Sequence, residues 1–108
     1  MKKIIIILFI LFSVSFYGQW VQQDSGVYEN LNDVYCVTEN LVFVVGDNGK
    51  ILKTTDGGDN WVEKTSGTTQ ILNRIQFANA FVGYAVGNNG VLLKTIDSGE
   101  NWTFVATG

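Results

Sequence analysis

Asp47, Asn48, Asp56, Asp59 and Asn60 crowd one short stretch of the chain, and Asn88, Asn89, Asp97, Glu100 and Asn101 repeat their types further on. Oxygen donors so placed suggest calcium first. Calcium takes about 6–8 oxygens from a loop of fixed order, and neither stretch has the Asp-x-Asp-x-Asp-Gly order. Asn, Asp and Gly also dominate tight turns for backbone reasons, so both stretches read as turns, with no metal and no cofactor. Histidine is absent, which removes the commonest general base and metal ligand. Cys36 is the sole cysteine and forms no internal disulfide; beside Val34, Tyr35 and Val37 it reads as a buried strand residue acting as a small hydrophobe. Tyr28, Tyr35, Phe81 and Tyr84 are rings that could stack on a sugar. Tyr84 stands among apolar neighbours and reads as core, Tyr28 precedes the first strand and is freer, and neither is assigned to a site. Asn101-Trp102-Thr103 fits the N-glycosylation pattern, but Asn60 occupies the matching position with no Thr after its Trp, so the asparagine reads as a turn residue.

Charge narrows the partners. Removing Lys2 and Lys3 with the leader described below takes the formal net charge from −3 to −5. Nucleic acid needs clustered Lys and Arg, whereas Lys50, Lys53, Lys64, Arg74 and Lys94 are dispersed. No nucleic-acid partner is expected.

The N-terminus has a different character. Met1-Lys2-Lys3 is a short basic start, residues 4–12 are an unbroken apolar run, and Ser13, Ser15 and Gly18 supply small residues after it. That order is expected of a secretory signal peptide, while a membrane-spanning helix needs about 20 apolar residues. Residues 1–18 are therefore read as a signal peptide cut after Ser15 or after Gly18, the latter preferred. The mature part, 19–108, is expected to be secreted, periplasmic or at the cell surface, with no membrane segment after cleavage.

The turns lie in a repeat. Trp20, Trp61 and Trp102 recur every 41 residues, and laying 20–61 over 61–102 needs no gap, with more than a third of positions identical. Such a period marks a structural unit used twice. Each copy reads as four short strands: 31–37, 41–45, 50–54 and 61–65, then Leu72–Phe77, 81–86, 91–95 and 102–106. Asn48-Gly49 and Asn89-Gly90 separate the second and third strands, and Asn-Gly supplies the positive φ of a tight hairpin. The second strand of the first copy, Leu41-Val42-Phe43-Val44-Val45, is apolar throughout, so both its faces must be covered. Trp61-Val62-Glu63-Lys64-Thr65 is more polar, as a rim strand should be. The expected fold class is all-β: two four-stranded antiparallel blades of a β-propeller, the first over 27–66, the second over 67–107, with 20–23 a leading outer strand.

At 46–61 and 77–102 the sequence resembles the β-propeller repeats of the photosystem II stability and assembly factor family, most tellingly in Val82-Gly83-Tyr84-Ala85-Val86-Gly87. The turn Thr54-Thr55-Asp56-Gly57-Gly58-Asp59-Asn60-Trp61 is similar to the Asp-box, or bacterial neuraminidase repeat. Asn60 and Asn101 stand where that motif usually has Thr. The resemblance implies that Thr54, Asp56, Gly58 and Trp61, with Thr95, Asp97, Gly99 and Trp102, build the hairpin between third and fourth strands, away from any ligand face. The physics agrees: Asp bonds backbone N–H groups nearby, Gly accepts left-handed φ, and Trp buries a large ring. Sialidases share the motif, and they resemble one another in an arginine cluster that grips a carboxylate. Arg74 is the only arginine here.

The expected function is thus an exported, non-catalytic propeller module for protein binding, assembly or scaffolding, with no catalytic residue. Which assembly it serves is not implied by the residues. The alternatives are part of a carbohydrate-active, sialidase-like enzyme, with carbohydrate as ligand, or a repeat segment of a surface protein or adhesin. Propellers use about 4–8 blades, so two blades are expected to leave uncovered faces and an unpaired strand at 20–23. A ring of three chains would cover the faces, but 20–23 copies a fourth strand that the second blade already owns. The chain is therefore expected to be part of a longer propeller.

Overall fold

The computed structural model describes residues 29–105, together with the backbone of 3–8 and 19–24. β1 (Lys3–Leu8) and β2 (Gln19–Asp24) form an antiparallel pair, Lys3 opposite Asp24 and Leu8 opposite Gln19. The strand expected to stand alone at 20–23 is thus paired, and its partner comes from the apolar N-terminal run. Both candidate cleavage positions and Tyr28 lie outside the described residues. Among the described residues no helix is long and apolar enough to cross a membrane.

The repeat forms two meanders. Blade one is β3 (Leu31–Cys36), β4 (Val42–Gly46), β5 (Ile51–Thr54) and β6 (Val62–Lys64), each hydrogen-bonded to the next. Blade two is β7 (Leu72–Phe77), β8 (Gly83–Gly87), β9 (Leu92–Thr95) and β10 (Thr103–Phe104) in the same order. All pairings are antiparallel, and the register repeats down to its irregularity: Leu31 faces Gly46 with a shift before Asp33, and Leu72 faces Gly87 with a shift before Arg74. The fourth strands are shorter than the sequence suggests, because Trp61 and Trp102 still belong to the preceding turn. Asn48 and Gly49 have φ of 60° and 67°, and Asn89 and Gly90 have 58° and 74°. Both turns are thus of the left-handed kind that suits the strand twist.

The blades stack face to face. Phe43, Val45 and Ile51 of blade one meet Leu72, Ile75, Phe77, Ala85, Leu93 and Trp102 of blade two in one core. The Phe43 and Phe77 rings stack at 4.4 Å, and Trp102 stands edge-on to both. β4 is buried throughout, from Val42 to Gly46, because Val44 turns the other way and packs with Leu52, Leu31 and Trp61. Each such fully buried aliphatic or aromatic side chain contributes about 1.5–3 kcal/mol.

Two expectations fail here. Cys36 is exposed, because β3 alternates and Tyr35 takes the position against Phe77, which sends Cys36 to the other face. Partial burial still pushes its thiol pKa up. Tyr84 is not core: β8 alternates, and Tyr84 and Val86 point to a face on which they are 37% and 40% exposed.

Candidate functional site

The eight turn residues singled out in the sequence come together as two separate copies of one network, at the same end of neighbouring blades. In the first, the Thr54 hydroxyl donates to Asp56 Oδ1 at 2.7 Å and accepts from the Gly58 N–H at 3.0 Å. Asp56 Oδ1 also accepts from the Asn60 N–H at 2.9 Å, and Oδ2 accepts from Asn60 Nδ2 at 2.8 Å. In the second, Thr95 donates to Asp97 at 2.8 Å, Gly99 donates to Thr95 at 2.8 Å, and Asn101 gives Asp97 two bonds of 2.9 and 2.7 Å. The Asn that stands in place of the usual Thr thus adds a side-chain donor to the carboxylate. These donors hold both carboxyls at a pKa of about 2: at Asp56 the Thr54 hydroxyl is the largest cause, at Asp97 the Asn101 amide. An ionised carboxylate with its oxygens so engaged is a brace for the hairpin rather than a free acid or base.

The two turns differ where they meet the rest of the molecule. Trp102 Nε1 donates to the Gly99 carbonyl at 3.1 Å, while Trp61 Nε1 is buried with no hydrogen-bond partner among the described residues. Gly99 has φ of 77° and lies directly under the Phe43 ring, which a Cβ there would strike. Its lack of a side chain therefore serves the packing of blade one on blade two as much as the turn.

Between the blades lies a cavity of about 210 Å³ whose wall includes Lys53, Lys64, Asp56 and Glu100. Glu100 bridges the blades, 3.1 Å from Lys53 Nζ and 2.8 Å from Lys64 Nζ, and the two ammonium groups, Lys64 first, lower its pKa. A broader groove of about 560 Å³ follows the link between the blades, past Glu63, Ser66 and Thr68. At the opposite end of the strands from the Thr-x-Asp turns, amides gather. Asn30 and Asn32 donate to Asp47 at 3.3 and 3.0 Å, Asn73 donates to Asn88 at 2.8 Å, and Asn89 donates to Gln70 at 2.7 Å. Asp47 and Asp56 lie at opposite ends of β5, and among the described residues no three Cys, Asp or Glu side chains converge as metal ligands.

Sequence reasoning missed the side chains that seat one blade on the other. Among the described residues β7 has a ladder partner on one edge only, and β3 supplies groups to the other. Asn32 Nδ2 donates to the Leu72 carbonyl at 2.9 Å, Asp33 Oδ2 accepts from the Ile75 N–H at 2.9 Å, and the Tyr35 hydroxyl donates to the Phe77 carbonyl at 3.1 Å. The one trace of this in the sequence is that Asn32 recurs as Asn73. Tyr35 is therefore tied into the blade contact, while Phe81 is 64% exposed on the link between β7 and β8.

This chain is similar to known proteins over most of its length. The family described as photosynthesis system II assembly factor YCF48 matches residues 13–107. A solved structure described as YCF48 bound to D1 peptide superimposes with a TM-score of 0.68 at 24% identity, over 74% of this chain and 27% of that one. YCF48 from Cyanidioschyzon merolae superimposes with a TM-score of 0.66 at 22% identity, over the same shares. The chain thus spans about a quarter of the length of these solved structures, and the likeness shows that its two sheets are propeller blades. No curated protein matches it. With both blades inside the matched residues, the chain belongs to the YCF48 assembly factor family, which is described by assembly rather than by an enzymatic reaction.

Proposed function

We propose that this member of the YCF48 family is an exported, non-catalytic propeller module that binds a polypeptide partner and holds it for assembly. The observation that carries the reading is the family match across both blades, joined by one similar structure being that of YCF48 with a peptide. The geometry supports it: Asp56 and Asp97 are engaged by their own hairpins, which favours a structural role for the Thr-x-Asp turns and leaves the grooves beside the blades for a partner. The basic start, apolar run and small residues of 1–18 support removal of a leader and a place outside the cytoplasm.

Two measurements test this. The full chain, probed against an array of extended peptide segments and an array of glycans, is expected to bind peptides and leave the glycans; binding confined to glycans, or release of a terminal sugar, would replace the assembly reading with the carbohydrate one. Intact mass of the exported protein is expected to lack 1–18, and a mature species that still carries Met1 would sink the export reading.

A further inference from the structure

The loop that joins β7 to β8 and the turn that follows β9 meet at the end of blade two that carries Asp97. The last ladder pair there is Gly83 with Thr95, which sets Phe81 and Ile96 just past the end of the sheet on adjoining strands. Asn79 Oδ1 accepts from the Phe81 and Val82 N–H groups at 2.8 and 2.9 Å, and the Ala78 N–H donates to the Val82 carbonyl at 2.9 Å. Ser98 fastens loop to turn, its N–H on the Phe81 carbonyl at 3.0 Å and its hydroxyl on the Ala80 carbonyl at 2.6 Å. The backbone is thus held by its own bonds. What it displays is not buried: Phe81 is 64% exposed and Ile96 70%, the most of any large apolar side chain among the described residues.

Blade one has the same loop with other residues. One repeat earlier, Phe81, Ala80 and Ile96 are Asn40, Glu39 and Thr55. The bonding is unchanged: Thr38 Oγ1 accepts from the Asn40 and Leu41 N–H groups, the Val37 N–H donates to the Leu41 carbonyl, and the Gly57 N–H donates to the Asn40 carbonyl. The fold therefore asks for no apolar residue at these positions. A neighbouring blade does not cover them either. Blade two packs on blade one, yet Asn40 and Thr55 stay exposed, so a blade set against blade two in the same way leaves Phe81 and Ile96 exposed.

We infer that Phe81 and Ile96 form a docking point for a polypeptide segment that carries an apolar side chain beside Lys or Arg. A ring on a preordered backbone loses little freedom when it binds, and aromatic residues dominate the energy of such contacts. Charge selects the flanks. The turns of Asp56 and Asp59 and of Asp97 stand at this end, with Glu39 beside the first of them. Lys53 and Lys64 are both taken up by Glu100, and Lys94 lies over the Tyr84 ring. The surplus is negative, which attracts a basic segment and repels an anionic membrane surface. The docking point lies at the opposite end of the strands from the amide cluster and apart from the groove past Ser66 and Thr68. It rests on the polypeptide-binding reading only for the kind of partner.

Fluorescence anisotropy of the full chain with three short labelled peptides tests the inference. One carries a leucine and phenylalanine pair between lysines, one has the lysines changed to glutamate, and one has the apolar pair changed to serine. Wild type is expected to bind the first in clear preference to the others. Phe81→Asn with Ile96→Thr, the residues that blade one carries on the same loop and turn, is expected to weaken that binding about tenfold, as loss of a central aromatic does, with the melting temperature unchanged. Asn40→Phe with Thr55→Ile is expected to add a second site for the same peptide on blade one, which keeps the test valid if the first variant fails to fold. Binding that survives Phe81→Asn with Ile96→Thr overturns the inference and leaves the polypeptide reading standing, as does a wild type that binds segments of the peptide array but none of these three. Preference for the glutamate-flanked peptide also overturns it. So does sedimentation with neutral phosphatidylcholine vesicles in the absence of peptide binding, which would assign the pair to a lipid surface.

Discussion

β4 and β8 are the same strand of the same repeat, yet β4 is buried on both faces and β8 on one. Phe43 is fully buried against Phe77 and Trp102, whereas Tyr84, its equivalent, lies 37% exposed beneath the Lys94 ammonium. The hydrogen-bond ladders are superimposable in register, so the strand itself does not account for the difference. Blade two covers the face that carries Phe43, and among the described residues no blade lies against the equivalent face that carries Tyr84. The residues follow: where β4 has Val42, Phe43 and Val44, β8 has Gly83, Tyr84 and Ala85. Gly83 has its own reason, since a Cβ would lie 2.6 Å from Phe77 Cε2.

The strongest way to break this comparison is to truncate the equivalent rings. Phe43→Ala should cost about 3–5 kcal/mol, as removal of a fully buried aromatic does. In dilute solution Tyr84→Ala should cost only about 0.5 kcal/mol, as exposed substitutions do. Denaturant melts of the two variants decide it. Equal losses would mean that the open face of blade two is covered in solution and that the two strands are not different after all.

The turn glycines give the next contrast. Gly99→Ala puts a side chain at positive φ and into the Phe43 ring, for an expected loss of about 2–4 kcal/mol. Gly90 has the same backbone sign, φ of 74°, but nothing near its Cβ direction, so Gly90→Ala should lose about 1–2 kcal/mol, the conformational cost alone. Thermal melts that rank Gly90→Ala as the more damaging would show that Phe43 does not rest on the second turn.

What could be read from the sequence and what could not divides along the same line. The tryptophans at a common spacing, the Asn-Gly pairs and the wholly apolar 41–45 run all report local geometry or composition, and they were enough for two four-stranded blades. Cys36 and Tyr84 were placed on the wrong side of their strands because neighbours in sequence are apolar on both faces. Only the partner blade decides which of two alternating sets is covered. Asn32, Asp33 and Tyr35 act on the free edge of β7, some 40 residues away, and nothing local marks them. Glu100 looked like an interchangeable turn residue beside Asp59, yet in the fold it reaches two lysines of the other blade.

That carboxylate offers a smaller test. Glu100→Gln removes the charge that joins the blades through Lys53 and Lys64. Because Glu100 is half exposed, the expected loss is about 0.5 kcal/mol, shrinking as salt is added. Glu63→Gln touches an ion pair with Lys50 inside blade one and should matter no more. Melting at low and high salt separates them from a structural effect: a loss for Glu100→Gln that does not respond to salt would assign its role to shape rather than charge.

The smallest difference expected between the blades is at the Thr-x-Asp turns, where the comparison should vanish. Asp56 and Asp97 are held ionised by nearly the same donors, and both have a pKa of about 2 against about 3.9 in an unfolded chain. A carboxyl whose folded pKa is lowered contributes stability that is complete above the unfolded value and is lost as pH falls through the folded one. Both turns should therefore begin to weaken below about pH 4 and lose the contribution near pH 2, with nothing changed between pH 5 and 8. Carboxyl-carbon NMR titration of the two side chains reads this directly, and the expected result is two coincident midpoints near 2. If Asp97 titrated low and Asp56 near 4, the first hairpin would depend on a blade packed against it as the second depends on Phe43. The unpartnered Trp61 indole would then be the other sign of that missing support.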